Sequence, residues 1–184
     1  MDNENLKGMG GFTVDGFTNT GITSMNDLIC IHFGKVNKDF KFAQYSLYYN
    51  SNLTHIYKLP NVTEIPMQLF RTCSKLQLSE LPSTVTTIQE QAFASCHAIT
   101  ISILGCQNPD DMAAGENKVQ FIGSQAFADA GKNVTSLTLN SSINTLGEYC
   151  FSGFGSTNLA VVNNTKFEKL DEYFNRTMTV SDVT

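Results

Sequence analysis

The chain has 184 residues, of which 41% are hydrophobic, and a formal net charge of −5. That length suits one domain or one repeat array with a cap, and the apolar fraction supports a continuous core. No Lys/Arg cluster supplies the concentrated positive charge that phosphate backbones need, so nucleic acid is excluded as a main partner. The longest apolar runs, such as Leu28-Ile29-Cys30-Ile31, fall far below the roughly 20 residues of a membrane helix, and no membrane insertion is expected.

Residues 1–41 differ in texture from the rest. Gly8, Gly10, Gly11, Gly16 and Gly21 loosen the opening, and 1–24 reads as an arm that orders only against a partner. Met1-Asp2-Asn3-Glu4-Asn5 is polar and acidic, without the basic-then-apolar layout of a signal peptide. Asp27–Phe33 then reads as a strand of β-branched and aromatic residues, and 25–41 is assigned as the cap that a repeat array needs.

From residue 42 to 184 a block recurs about every 23 residues, aligned on Phe70, Phe93, Phe127, Phe151 and Phe174. Two apolar positions precede each of the first four: Val62 and Ile65, Val85 and Ile88, Val119 and Ile122, Ile143 and Leu146. Phe42 and Leu47 fill the slots of Ile65 and Phe70 in a weak early copy. A strand-like run follows each aromatic, most clearly Val134–Leu139, which has the L-x-x-L-x-L form, and Leu159–Asn164. Leu53–Pro60 and Leu76–Pro82 are the earlier versions, with proline marking the strand end. Such a period predicts a solenoid in which neighbours complete each unit's core. One unit breaks it: Phe93 to Phe127 spans 34 residues, and the surplus lies in Gly105–Lys118, a surface insertion. Val180 falls where a further strand should start, and Thr184 follows with no polar terminal cap.

Cys73 and Cys96 share one slot, three residues after the aromatic, and Cys150 sits where other units carry Ala92 and Ala126. Five cysteines without C-x-x-C read as reduced, buried packing residues, with Cys30 and Cys106 left over. Six sequons, at Asn52, Asn61, Asn133, Asn140, Asn163 and Asn175, are the product of an Asn/Ser/Thr-rich composition.

The runs Leu81–Cys96 and Ile122–Phe127 resemble the BspA-like (Treponema-type) leucine-rich repeat, and the likeness extends over 42–182. It implies an α/β repeat fold, a right-handed leucine-rich-repeat solenoid with a parallel sheet on the concave face and short helical or irregular convex segments. Members of that family are mostly surface and host-interaction proteins of bacteria and protists, with similar repeats in bacteriophage proteins. They bind proteins or matrix components and are not enzymes in themselves. In this chain Ala130 and Phe154 stand where the family carries Cys, and Ser79 and Ser102 where it carries an apolar strand residue.

No catalytic, metal or cofactor motif competes with a binding role. His32, His55 and His97 share no ligand spacing, and neither H-E-x-x-H nor G-x-S-x-G occurs. Cys96 and His97 are adjacent in sequence, and adjacent side chains rarely face each other as a nucleophile and base must. Asp110, Asp111, Glu116 and Asn117 lack the spacing of a calcium loop and read as solvated surface.

Side chains alternate along a strand, so in L-x-x-L-x-L the third and fifth positions face outward. Counted from Pro82, this places His55, Tyr57, Leu78, Glu80, Ile101, Ile103, Ser136, Thr138, Val161 and Asn163 on one surface, with an apolar patch at its middle as the candidate partner site. A one-residue slip would instead turn Leu78 and Ile101 inward and put Ser79 and Ser102 outside, removing both misfits. The reading is a non-enzymatic module that binds a protein partner or neighbouring subunit, as part of an oligomer or assembly such as a phage virion. The alternatives are a surface adhesin for host protein or glycan, and an intracellular scaffold. A virion or cell exterior is the favoured location.

Overall fold

The structure, a computed structural model, describes residues 29–33, 39–57, 59–178 and 180–181. The chain winds as a parallel β-solenoid with almost no helix, and each turn of the coil has three sides. The sequence expectation for 1–24 falls outside the described residues, as does much of 25–41.

The first side is the anticipated strand face. It begins with β1 (Cys30–His32) parallel to β2 (His55–Tyr57), and His55 bridges onward to Gln77. A second stretch of the same side stacks β5 (Ile103–Leu104), β7 (Ser136–Leu139), β9 (Ala160–Asn163) and β10 (Val180–Ser181), all parallel. Inward residues of successive turns fall in line, with Ile31 opposite Ile56 and Leu137 opposite Val161, all buried.

The second side is another parallel ladder, built from the two apolar slots ahead of each aromatic. Here β3 (Glu64–Ile65), β4 (Thr87–Ile88), β6 (Phe121–Ile122) and β8 (Thr145–Leu146) pair in that order. Ile65, Ile88, Ile122 and Leu146 form one buried row. Gly123 lies just after this row because the turns approach closely. A Cβ there would sit 2.6 Å from Glu90 N.

The third side carries the aromatic column. Phe70, Phe93, Phe127, Phe151 and Phe174 stack face to face at centroid distances of 5.3, 5.1, 5.5 and 4.9 Å, and all are buried. Each stacked pair adds about 0.5–1.5 kcal/mol to the burial of its area. The backbone here alternates in handedness. Residues two before and two after the aromatic take positive φ, as at Gln68 (53°) and Thr72 (65°), Gln91 (53°) and Ser95 (59°). That alternation aims every second N–H along the solenoid. Gln68 N, Phe70 N and Thr72 N donate to Glu90, Ala92 and Ala94 carbonyls of the next turn. Inter-turn bonding thus offsets the strain of left-handed non-glycine residues. Amide side chains extend the ladder: Gln68 Nε2 donates to Gln91 Oε1 at 2.8 Å, and Gln91 Nε2 to Gln125 Oε1 at 2.7 Å.

The repeat cysteines serve the same side. Cys96 Sγ donates to the Phe70 carbonyl at 2.9 Å, and Cys73 Sγ to the Leu47 carbonyl at 3.1 Å. At the early end Phe33, Phe40 and Phe42 form an edge-to-face cluster, and Phe42 meets Phe70 at 6.3 Å. The single helix among the described residues, α1 (Asp171–Phe174), is one turn that delivers Phe174 to the column. No helix among them is long and apolar enough to cross a membrane.

Candidate functional site

Strand parity decides what the first side shows to solvent. Register places His55, Tyr57, Ser136, Thr138 and Ile103 on its outward surface, and Glu80 is exposed at the end of its run. Four of the anticipated surface residues are not there. Leu78, Ile101 and Val161 are 8%, 1% and 0% exposed and belong to the core. Asn163 pairs with the inward Leu139, and its amide is engaged by the following loop: Nδ2 donates to Phe167 O, and Oδ1 accepts from Thr165 Oγ1.

The cause is one residue of spacing. In Leu53–Ile56 and Val134–Leu137 the second inward residue comes three after the first, as L-x-x-L requires. In Leu76–Leu78, Ile99–Ile101 and Leu159–Val161 it comes two after. Strand alternation starts earlier in those units, and the surplus residue falls before the next buried position, Leu81 or Leu104. Ser79 and Ser102 are therefore ordinary outward residues. The apolar patch does not exist, and the true surface runs through Gln77, Ser79, Ser102, Ala160 and Val162, which the L-x-x-L count missed. The serines standing where leucine was expected were the signal that could have found it.

The outward row is mostly aromatic, short polar and small apolar, with Glu80 at the end of its run. At its early end the rings of His55 and Tyr57 stack at 5.8 Å with 15° between planes, and His32 meets Tyr57 edge-on at 6.3 Å. Tyr57 is 55% exposed. Next along the coil come the short polar side chains of Gln77, Ser79 and Ser102, then Ser136 and Thr138 beside Ala160 and Val162.

The insertion stands over this surface. It leaves the ladder at Gly105 (φ +80°) and is pinned at its base by Asn117, which is fully buried. Asn117 Oδ1 accepts from Gly105 N at 2.8 Å, and Nδ2 donates to Ile103 O at 3.2 Å. Glu116 accepts from Ala113 N at 2.8 Å and from Asn140 Nδ2 at 2.9 Å, and Asn164 Nδ2 continues the amide row to Asn140 Oδ1. The loop folds back until a Cβ on Gly115 would lie 3.4 Å from Ile103 Cδ1, and the outward isoleucine is half-buried. Between residues 112–116 of this loop and residues 77–83 lies a groove of about 560 Å³.

Nothing in the described residues assembles a nucleophile or a metal cage. The Cys96 thiol is buried and pushed well above its ordinary range by desolvation, whereas His97 is exposed and turned to Asp129, Nε2 to Oδ2 3.2 Å. Cys73 is likewise raised to about 12 by burial. Among the described residues no group of three or more His, Cys, Asp or Glu is placed to hold a metal ion.

The sequence profile of the BspA-type leucine-rich repeat region, in six copies, matches residues 41–113 and 111–183. The chain belongs to the BspA-type leucine-rich repeat family. That membership agrees with the parallel solenoid and with the recurring aromatic column. No curated protein and no solved structure matches the chain. Leucine-rich repeats of this kind point to a protein-binding module in general.

Proposed function

We propose that the protein works by binding rather than catalysis, and that its partner is a protein docked on the outward surface of the first side. One observation carries the reading: side chains from successive parallel strands line up in register on a surface whose outward positions Ser102, Ile103, Ser136, Thr138, Ala160 and Val162 include no Lys, Arg, Asp or Glu, with Glu80 at its early margin. Interface centres are depleted in charge, and strands about 4.8 Å apart make such a row continuous.

The setting we propose is a larger assembly, such as a phage virion, in which the protein is a structural or decoration subunit and the partner a neighbouring subunit. Hydroxyls and small apolar groups (Ser136, Thr138, Ala160, Val162) suit a fixed, closely packed neighbour. A surface adhesin is the second reading, favoured by the aromatic cluster at the early end.

The test is native mass by light scattering, on the wild type and on Thr138→Arg. A defined oligomer that Thr138→Arg dissociates, with unchanged thermal unfolding, supports the assembly. A strict monomer at every concentration contradicts self-assembly and leaves the adhesin.

A further inference from the structure

The groove beneath the insertion has a chemistry of its own. Its volume, about 560 Å³, lies in the range of small-ligand sites, roughly 300–1,000 Å³. Five polar side chains converge on it: Asn61, Gln77, Ser79, Glu80 and Ser83. Among the described residues none of the five, all solvent-exposed, makes a side-chain hydrogen bond. Close by, Thr54, Thr84, Thr86 and Asn117 are already engaged.

The lining also says what would not bind. Among the described residues no Lys or Arg lines the groove, so phosphate, sulfate or a sialylated ligand finds no counter-charge from them. Of the two carboxylates, Glu116 is already held by Ala113 N and Asn140 Nδ2. Only Glu80 is left to accept from a ligand. A peptide backbone gains little at Gln77 and Leu78, where Gln77 N already donates to Thr54 O and Leu78 O accepts from Thr100 N. What remains is a ligand rich in hydroxyl groups, each both donor and acceptor, with apolar faces between them. The apolar elements are in place: Met112 and Ala113 on the loop wall, Ile56 and Leu59 opposite. Outside the lining, across the ladder from Gln77, His55 stacks on the exposed ring of Tyr57.

We propose that this groove is a binding site for a neutral saccharide. Gln77, Ser79, Asn61 and Glu80 hydrogen-bond its hydroxyls, and the His55–Tyr57 pair stacks against a sugar face. The insertion is the wall that turns an open strand surface into a site. This goes beyond protein docking and uses the early half of the surface, whereas Ser136 and Thr138 occupy the other half.

The test is an array of neutral and sialylated oligosaccharides probed with the labelled wild-type chain, and with Gln77→Ala, Tyr57→Ala and Thr138→Arg. All three positions are outward, and unchanged thermal unfolding confirms that each variant is folded. The expected result is retention on a subset of neutral glycans, reduced at least tenfold by Gln77→Ala and by Tyr57→Ala and untouched by Thr138→Arg. No retention on any neutral glycan, retention on sialylated glycans alone, or neutral binding that survives both groove variants would overturn the proposal. Loss of oligomer with Thr138→Arg is read separately, so either idea can fail without the other.

Discussion

Four of the five cysteines are buried, and Cys30 alone is exposed. The thiolate is the reactive form, and burial raises the thiols of Cys73, Cys96 and Cys150 above their ordinary range. Ellman titration of the folded protein should therefore release one fast equivalent, and all five only after denaturation. Two or more fast equivalents would contradict the packing around the aromatic column. Asp129 offers a pH test. Its carboxyl is held below the usual range, chiefly by the Lys132 hydrogen bond, against partial desolvation and with help from His97. A depressed carboxylate contributes stability above its unfolded pKa, near 4, and loses it as pH falls through the lower folded value. The stability gap between wild type and Asp129→Asn should be present at pH 7 and vanish on acidification below that window. With Asp129 56% exposed the gap is small, and urea melts at low salt are the sensitive measurement.

Among the elements, the insertion and the strand face behaved differently as readable objects. The insertion was legible because it breaks a count, and the structure shows what secures it: Asn117 alone satisfies Gly105 N and Ile103 O. Asn117→Ala leaves buried backbone groups without partners and should cost about 1–3 kcal/mol, lowering Tm by several degrees. Deleting 107–116 should leave a folded solenoid, since Asn117 N already meets Gly105 O at 3.4 Å and closes the base. Circular dichroism melts separate these results, and loss of cooperative unfolding in the deletion would contradict the placement of the loop. The strand face was legible only to within one residue. Leu78, Ile101 and Val161 were misplaced because the chain uses both two- and three-residue steps between inward positions, and periodicity alone does not distinguish them. The third side was harder still. Most of its left-handed positions hold residues such as Gln68, Thr72, Gln91, Ser95 and Asp129, with glycine at Gly153 alone among those flanking Phe70, Phe93, Phe127 and Phe151, so the sequence did not announce the alternation that the inter-turn hydrogen bonds impose.

At the scale of the whole molecule, stability is a sum of turns and the contacts between neighbouring turns. Phe127 sits mid-column, stacked on Phe93 and Phe151 and edge-on to Phe154. Phe127→Ala should cost about 3–5 kcal/mol and uncouple the early turns from the late ones, giving a broadened or two-step denaturation curve. The functional reading depends on which residues of the first side look outward, and one pair of substitutions settles that most directly. Ile101 is 1% exposed and its neighbour Ser102 lies on the surface row. A lysine at the first position forces an ammonium into the core, whereas at the second it reaches water. Thermal unfolding of Ile101→Lys and Ser102→Lys should show the first destabilised by more than 10 °C or unfolded, and the second within a few degrees of wild type. The opposite order would put Ile101 on the surface, restore the apolar patch and contradict the account of the site.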